Sequence, residues 1–298
     1  MIILDYSQIA LSNILPFQND IKRQSPEEIK NLIRHTTLST IKSYKKKYGK
    51  EYGEIVIACD GRNYWRKSIF PHYKAHRKAN RDKSDLDWGF IFDTLAELRE
   101  ELINYFPYKV LINEGAEADD IIATLVDFSQ EHELIQEGLF YSPQKVLIVS
   151  SDKDFIQLQR NKNVRQWSPM QRKFVEGSQK EIQEYTIQHI VKGDSGDGIP
   201  NILSKDDVFV SGDRQKPFSA KRLPEFFEKG IEACKNDEEK RNYQRNQQLV
   251  NFDYIPEELA KIIIYTYENT KPKGDKNSIM EYLIKNKCRL LLDEIEEF

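Results

Sequence analysis

Val146-Leu147-Ile148-Val149-Ser150-Ser151-Asp152-Lys153-Asp154 is a short apolar run that stops at two carboxylates spaced two apart. Four consecutive apolar residues of this kind suit a strand buried on both faces of a parallel sheet. Two other runs end in the same way: Ile2-Ile3-Leu4 leads into Asp5, and Ile55-Val56-Ile57-Ala58 leads through Cys59 into Asp60. A fourth candidate strand, Lys109-Val110-Leu111-Ile112, is less apolar. Helical patterns lie between them. Ser25-Pro26-Glu27-Glu28 is a helix start, with Ser as N-cap and Pro in the first turn, and Ile29, Leu32, Ile33, Leu38 and Ile41 follow at near-helical spacing. Strands alternating with helices predict an α/β fold, an open sheet flanked by helices.

Beyond about residue 185 the strand signal fades. Lys221 to Lys240, Pro256 to Asn269 and Ser278 to Lys287 read as helices. The expected division is an α/β domain over 1–185 and a helical domain over 186–298. The 298 residues are 39% hydrophobic and 31% charged, and no apolar run approaches eighteen residues, which excludes a helical membrane span. The start, Met1-Ile2-Ile3-Leu4-Asp5, lacks a signal-peptide pattern, so a cytoplasmic protein is expected. Cys59, Cys234 and Cys288 are odd in number and far apart, as reduced thiols are, and they offer no Cys-x-x-Cys metal site.

In a parallel sheet the carboxyl ends of the strands share one rim, where ligands bind. Asp5, Asp60, Asp152 and Asp154 are therefore delivered to one place. Glu117-Ala118-Asp119-Asp120 opens an apolar helical stretch and adds Glu117, Asp119 and Asp120. Gly193-Asp194-Ser195-Gly196-Asp197-Gly198-Ile199-Pro200 adds Asp194 and Asp197 beside a glycine-rich turn. Any one of these alone is an ordinary turn or N-cap residue, and Glu117 to Asp120 also suit a helix N-terminus. Together they repel one another, and a hard divalent cation removes that conflict. Oxygen-only donors point to Mg²⁺ or Mn²⁺ rather than zinc. Two such ions, roughly 3.5–4 Å apart, clamp the attacking and leaving oxygens of a phosphodiester in an in-line displacement.

The net charge is −3, yet from Arg62 to Lys83 eight Lys or Arg accompany a single carboxylate, Asp82. Arg62, Arg66, Lys67, Tyr73, Lys74, Arg77, Lys78 and Arg81 interleave cations with aromatics, a pattern that suits phosphates and stacked bases as well as a solvated face. The segment leaves the same rim just after Asp60. His72 and His76, four apart, lack the partners of a zinc site and read as phosphate contacts or exposed residues. Lys42 to Lys50 reads as the solvated end of a helix.

The order and spacing of Asp5, Cys59-Asp60, Glu117-Ala118-Asp119-Asp120, Ser150-Ser151-Asp152-Lys153-Asp154-Phe155 and Gly193-Asp194-x-x-Asp197-Gly198-Ile199-Pro200 resemble the 5′-nuclease family of flap endonucleases and 5′→3′ exonucleases. Gln166-Trp167-Ser168-Pro169-Met170 and Phe252-Asp253-Tyr254-Ile255-Pro256 extend the likeness over nearly the whole chain. The resemblance implies a PIN-like domain with a mostly parallel sheet, and a helical C-terminal domain that holds duplex. It implies two Mg²⁺ ions, with Mn²⁺ as a substitute. Asp5, Asp60, Asp120 and Asp152, with Glu117 and Asp119 near, would hold the first ion. Asp154, Asp194 and Asp197 would hold the second, partly through water. Segment 62–83 would be an arch or bridge threaded by the 5′ strand, with Lys74 and Arg77 stabilising charge on the scissile phosphate. The implied partners are DNA and RNA/DNA hybrids with 5′ ends or flaps, and replication proteins such as a single-strand-binding protein or a sliding clamp. The implied state is a monomer, phage-encoded, in the host cytoplasm.

One stretch departs from the family. Its Gly-x-Gly hairpin after the proline is replaced by Asn201-Ile202-Leu203-Ser204-Lys205-Asp206-Asp207, so Lys205, Arg214, Lys216, Lys221 and Arg222 become the candidates for gripping duplex. Two rival readings are weaker. A magnesium phosphohydrolase with a nucleophilic Asp would place a second Asp two residues after Asp5, where Ser7 stands. A non-catalytic nucleic-acid binder has no need of Asp154, Asp194 and Asp197.

Overall fold

Backbone pairing makes neighbours of the apolar runs. In chain order the strands are β1 (Ile2–Asp5), β2 (Ile55–Cys59), β3 (Lys109–Ile112), β4 (Leu134–Glu137), β5 (Phe140–Pro143), β6 (Val146–Val149), β7 (Val164–Ser168) and β8 (Lys173–Val175). The computed structural model describes residues 1–14, 16, 24–132, 134–137 and 140–298. Six strands form one sheet in the order β3-β2-β1-β6-β7-β8, and β4 and β5 form a separate antiparallel hairpin. All pairs in the large sheet are parallel except β7 with β8. From β1 the chain runs outward through β2 and β3, then returns to place β6 on the other side of β1. The order therefore reverses between β1 and β6, and that crevice is where an open α/β sheet binds its ligand.

The central strands are buried on both faces, and their alternation feeds two cores. Ile2, Leu4, Ile55, Ile57, Leu147 and Val149 face one side, packed under Tyr6–Ile14, Pro26–Tyr52 and Trp88–Tyr105. Met1, Ile3, Val56, Ala58, Val146 and Ile148 face the other, under the Ala118–His132 helix. The long Pro26–Tyr52 helix begins at the expected place, with Ser25 and Glu28 forming a reciprocal capping box.

The C-terminal half does not stand apart. Leu259, Ile263 and Tyr267 complete the second core, while Ile279, Tyr282, Leu283, Leu291 and Phe298 complete the first. A third core lies between 190 and 250, built on Ile190, Val191, Ile202, Phe226 and Tyr243, and it takes in Phe70 and Tyr73 from the basic segment. The helix Gln179–Lys192 runs without interruption through residues 185 and 186.

The helix expected over 221–240 is divided. Leu223–Lys229 ends at Gly230, whose φ of +55° halts the helix, and Asn236 caps a new one over Asp237–Val250 by accepting from the Glu239 amide. The other two begin near their expected places, at Glu257 and Lys276, the second behind an Asp275 capping box. The Lys42–Lys50 run does more than solvate its helix: Lys42 and Lys46 pair with Glu294 and Glu297, which ties the last turn of the chain to the first core. Cys59, Cys234 and Cys288 are each buried and free of disulfides.

Candidate active site

The reversal between β1 and β6 opens into a cleft of about 870 Å³ lined by Asp5, Asp60, Asp119, Asp152 and Asp197, with Lys74 and Arg77 above them. Asp5 ends β1 and accepts from the Gln8 amide at 3.0 Å and from the Ser150 hydroxyl at 3.2 Å. Asp60 follows β2 and accepts from Ser7 Oγ at 2.8 Å and from the Ala118 amide at 3.0 Å. Asp152 follows β6, its amide donating to Ser150 Oγ at 3.1 Å. Three strand ends thus aim three carboxylates at one point, and the first turn of the Ala118–His132 helix supplies Asp119.

This crowding has an electrostatic cost. Burial, then Asp60 and Asp152, push the Asp5 carboxyl up to about 7. Loss of solvent and the neighbouring Asp154 push Asp152 up to about 6. Burial, then Asp152, hold Asp119 well above the usual carboxylate range.

The nine acidic residues named from sequence fall into three groups. Asp5, Asp60, Asp119, Asp152 and Asp197 share the cleft. Asp154 and Asp194 lie in an adjoining hollow of about 460 Å³, which Asp152 also reaches. Glu117 and Asp120 belong to neither: both are fully buried and tied to protein cations. Arg66 Nη1 lies 3.0 Å from Glu117 Oε2 and 2.8 Å from Asp120 Oδ1, and Trp65 Nε1 donates to Asp120 Oδ2 at 3.2 Å. The sequence reading put Asp120 in the metal set with Asp119 beside it, and the structure reverses the two. One residue of helix is a rotation of about 100°, so adjacent aspartates in a first turn cannot both face the cleft.

Asp194 and Asp197 owe their positions to a closed turn. The Asp194 and Ile199 backbones bond reciprocally at 2.8 and 2.7 Å. Gly193 has φ +68°, and a Cβ there would meet the Ile199 carbonyl at 2.3 Å. The turn faces the basic segment: Lys74 N donates to the Asp197 carbonyl at 2.7 Å, Arg77 Nη2 reaches Asp197 Oδ1 at 2.5 Å, and the Tyr73 hydroxyl donates to Asp197 Oδ2 at 2.9 Å.

Two family models divide the chain between them. The 5'-3' exonuclease N-terminal resolvase-like domain matches residues 17–192, and the T4 RNase H C-terminal domain matches residues 179–298. The ribonuclease H of Enterobacteria phage T4 is 33% identical over 99% of this chain and 95% of its own length. The chain belongs to the 5′–3′ exonuclease family. A 5′-3′ exonuclease of Buchnera aphidicola is 31% identical over 68% of this chain and 65% of that protein. The architecture agrees with the crystal structure of the T5 D15 protein co-crystallised with metal ions, at a TM-score of 0.60 and 18% identity, covering 89% of this chain and 98% of that one. The sheet is thus the resolvase-like, PIN-type α/β domain of 5′–3′ exonucleases, followed by a helical C-terminal region.

Within that family fold the basic segment is ordered as two short helices, Arg66–Ile69 and His76–Asp82. Of its eight expected nucleic-acid contacts, Arg66 and Tyr73 are buried instead. Arg66 Nε donates to the Leu249 carbonyl at 2.9 Å, and the Tyr73 hydroxyl also reaches Glu117 Oε2 at 2.9 Å. Both are pulled inward because Glu117 and Asp120 need partners. Arg62, Lys67, Arg77 and Lys78 are exposed; Lys74 and Arg81 are partly so. Lys74 Nζ sits 2.5 Å from Glu117 Oε1, and the Asp197 and Glu117 carboxylates hold its ammonium above the ordinary range despite burial. Its φ of +55° turns the side chain toward the cleft. His72 and His76 form no zinc pair; His76 packs beside Gly198 and the Phe209 ring.

Among the duplex candidates, Lys205, Arg214, Lys216 and Lys221 are exposed. Arg222 is spent internally, 2.7 Å from Glu239 Oε2 and against the Phe218 and Phe226 rings. Sequence reasoning missed His189. Among the described residues one group of three draws its ligand atoms within 4.8 Å of one another, and it is Asp154, His189 and Asp194. The available signal was its place five residues before Asp194, in the last turn of a helix that ends at the glycine turn.

Proposed function

We propose that the chain is a Mg²⁺-dependent 5′ nuclease that hydrolyses phosphodiester bonds at 5′ ends, flaps and RNA primers during DNA replication. The observation that carries this reading is the convergence of Asp5, Asp60, Asp119, Asp152 and Asp197 on one cleft beneath Lys74 and Arg77. A metal fits these residues. The donors are all carboxylates, and burial and mutual repulsion raise Asp5 and Asp152 in a way that a divalent cation offsets. Asp5, Asp60, Asp119 and Asp152 are the proposed holders of one Mg²⁺, with Asp154, Asp194 and Asp197 for a second, and Mn²⁺ able to replace either. Bound there, the ions supply Lewis acidity and neutralise charge on the phosphate.

The chain's own residues supply the rest. Lys74 and Arg77, now paired with Glu117 and Asp197, orient the scissile phosphate and stabilise the charge that builds on it. Glu117 and Asp120 act indirectly by fixing Arg66 and Lys74. Arg62, Lys67, Lys78 and Arg81 line the path of a 5′ strand, as phosphate contacts. Residues 1–185 carry the cleft, and 186–298 hold duplex through Lys205, Arg214, Lys216 and Lys221. A solved T5 D15 flap endonuclease contains DNA and metal ions, which favours DNA with 5′ flaps as substrate here too. RNA/DNA hybrids, and recruitment by a single-strand-binding protein or sliding clamp, belong to the same proposal, with a monomer acting in the host cytoplasm.

The test uses end-labelled flap, blunt-duplex and RNA-primed substrates in Mg²⁺ or EDTA, with Asp152→Asn as control. Cleavage from the 5′ end in Mg²⁺ alone, abolished in the variant while DNA binding persists, is expected. Wild-type turnover by Asp152→Asn would remove the cleft from the mechanism.

A further inference from the structure

His189 stands on the last turn of the Gln179–Lys192 helix, between two carboxylates that reach it from different elements. Its Nδ1 lies 2.8 Å from Asp154 Oδ1, and its Nε2 lies 3.3 Å from Asp194 Oδ2. An ionised carboxylate only accepts hydrogen bonds, so each ring nitrogen must donate, and the ring is then a cation. We propose that His189 is a resident counter-cation that keeps Asp154 and Asp194 assembled and occupies the place a divalent ion must take between them. This rests on the proposed reading of Asp154 and Asp194 as holders of a second ion.

The surroundings fix the arrangement. The Tyr185 hydroxyl donates to Asp154 Oδ1 at 3.0 Å, and its ring meets the imidazole edge-on with centroids 5.6 Å apart. Asp194 Oδ1 accepts from the Gly196 amide at 2.6 Å, which leaves Oδ2 for the ring. Burial opposes the charge on Asp194, but the His189 contact outweighs it and holds that carboxyl below its ordinary value. A ligand histidine would turn one bare nitrogen to the ion and leave the other for support. Here both nitrogens face carboxylates. The second subsite is therefore filled by protein until the ring is displaced, and His189 acts as a positioning residue.

The test counts bound Mn²⁺ by electron paramagnetic resonance on DNA-free, full-length protein, for wild type, His189→Gln and His189→Lys, with melting temperatures in EDTA. In His189→Gln the second Mn²⁺ should bind about tenfold tighter, the equivalent of removing one competing cation. In EDTA this variant should melt below wild type, and saturating Mn²⁺ should erase the difference. His189→Lys, which restores the charge, should bind the second ion as weakly as wild type does. A second ion that binds more weakly in His189→Gln would make His189 a ligand, and unchanged binding would make it a plain structural contact; either overturns the inference. So would a lysine variant that behaves like the glutamine one. If the wild type bound no Mn²⁺ at all, the proposed nuclease chemistry would fail first and carry this inference with it.

Discussion

Asp5 shows what strand geometry costs a single residue. Placed at the end of β1 and nearly sealed from water, it is pushed up to about 7, while Asp152 is pushed up to about 6. In the unfolded chain both titrate near 3.8. Between those values the folded state binds more protons than the unfolded one, so stability falls as pH rises. Metal-free protein should accordingly be most stable near pH 4 and lose stability up to about pH 7, as Asp5 and Asp152 ionise. Urea melts in EDTA across that range should show the slope, and Asp5→Asn should flatten it; a stability that rises over the window would contradict the burial of these groups. Lys74 and Arg77 carry the opposite charge to the same cleft. Lys74→Ala and Arg77→Ala should each slow cleavage and lower the salt slope of DNA binding by about one unit for every phosphate left unneutralised. Unchanged rate and slope in both would leave the segment a solvated surface.

At the scale of elements, the basic segment is held by a buried ion pair rather than by DNA. Arg66 alone faces two sealed carboxylates, Glu117 and Asp120, and its side chain is 3% exposed. Arg66→Met should leave both acids uncompensated and cost about 3–5 kcal/mol, the usual range for one partner removed from a buried pair. Arg62, in solvent, should change stability by no more than about 0.5 kcal/mol on replacement by Ala. Equal effects in the two variants, measured by urea unfolding, would refute this division of roles. The 201–207 stretch has its own logic. Asn201 Oδ1 accepts from Leu203 N at 3.0 Å and Ser204 Oγ at 2.9 Å, and Asn242 and Asn246 bond the Ile202 and Pro200 carbonyls at 2.9 and 2.8 Å. Leu203 has no positive φ, so the loop lacks a glycine turn's close approach to phosphate. With those carbonyls already engaged, duplex affinity should be equal in K⁺ and Na⁺ at matched ionic strength. A blunt-duplex titration with Asp5→Asn protein that showed a clear K⁺ preference would overturn this reading.

For the molecule as a whole, the cleft is a preassembled store of repulsion, and metal binding should register in global stability. A ligand that binds only the folded state adds RT ln(1 + [L]/Kd), about 2.7 kcal/mol at a hundredfold excess over Kd. Millimolar Mg²⁺ should raise the melting temperature without DNA, and Asp5→Asn should blunt the rise. No shift in calorimetry would mean that the carboxylates do not form a site in the free protein. The coupling is expected to be global because both halves of the chain share cores. Phe298 packs with Phe106, and Tyr267 with Phe128, so the last helices report on the sheet.

The sheet's central strands and the convergence of Asp5, Asp60 and Asp152 were legible from sequence. A strand buried on both faces must be continuously apolar, and the residue that ends it must sit at the rim. β7 was missed because it is buried on one face only, alternating around Arg165, and β8 because it is three residues long. Only the folded chain decided which of Asp119 and Asp120 meets the cleft, since helix phase depends on where the first turn begins. It also decided that Arg66 and Tyr73 turn inward and that His189 meets Asp154 and Asp194. Arg66 and Glu117 lie 51 positions apart, Tyr73 and Asp197 124, and Tyr185 and Asp154 31. Over such separations a local pattern of charge says nothing of the partner that the fold will bring.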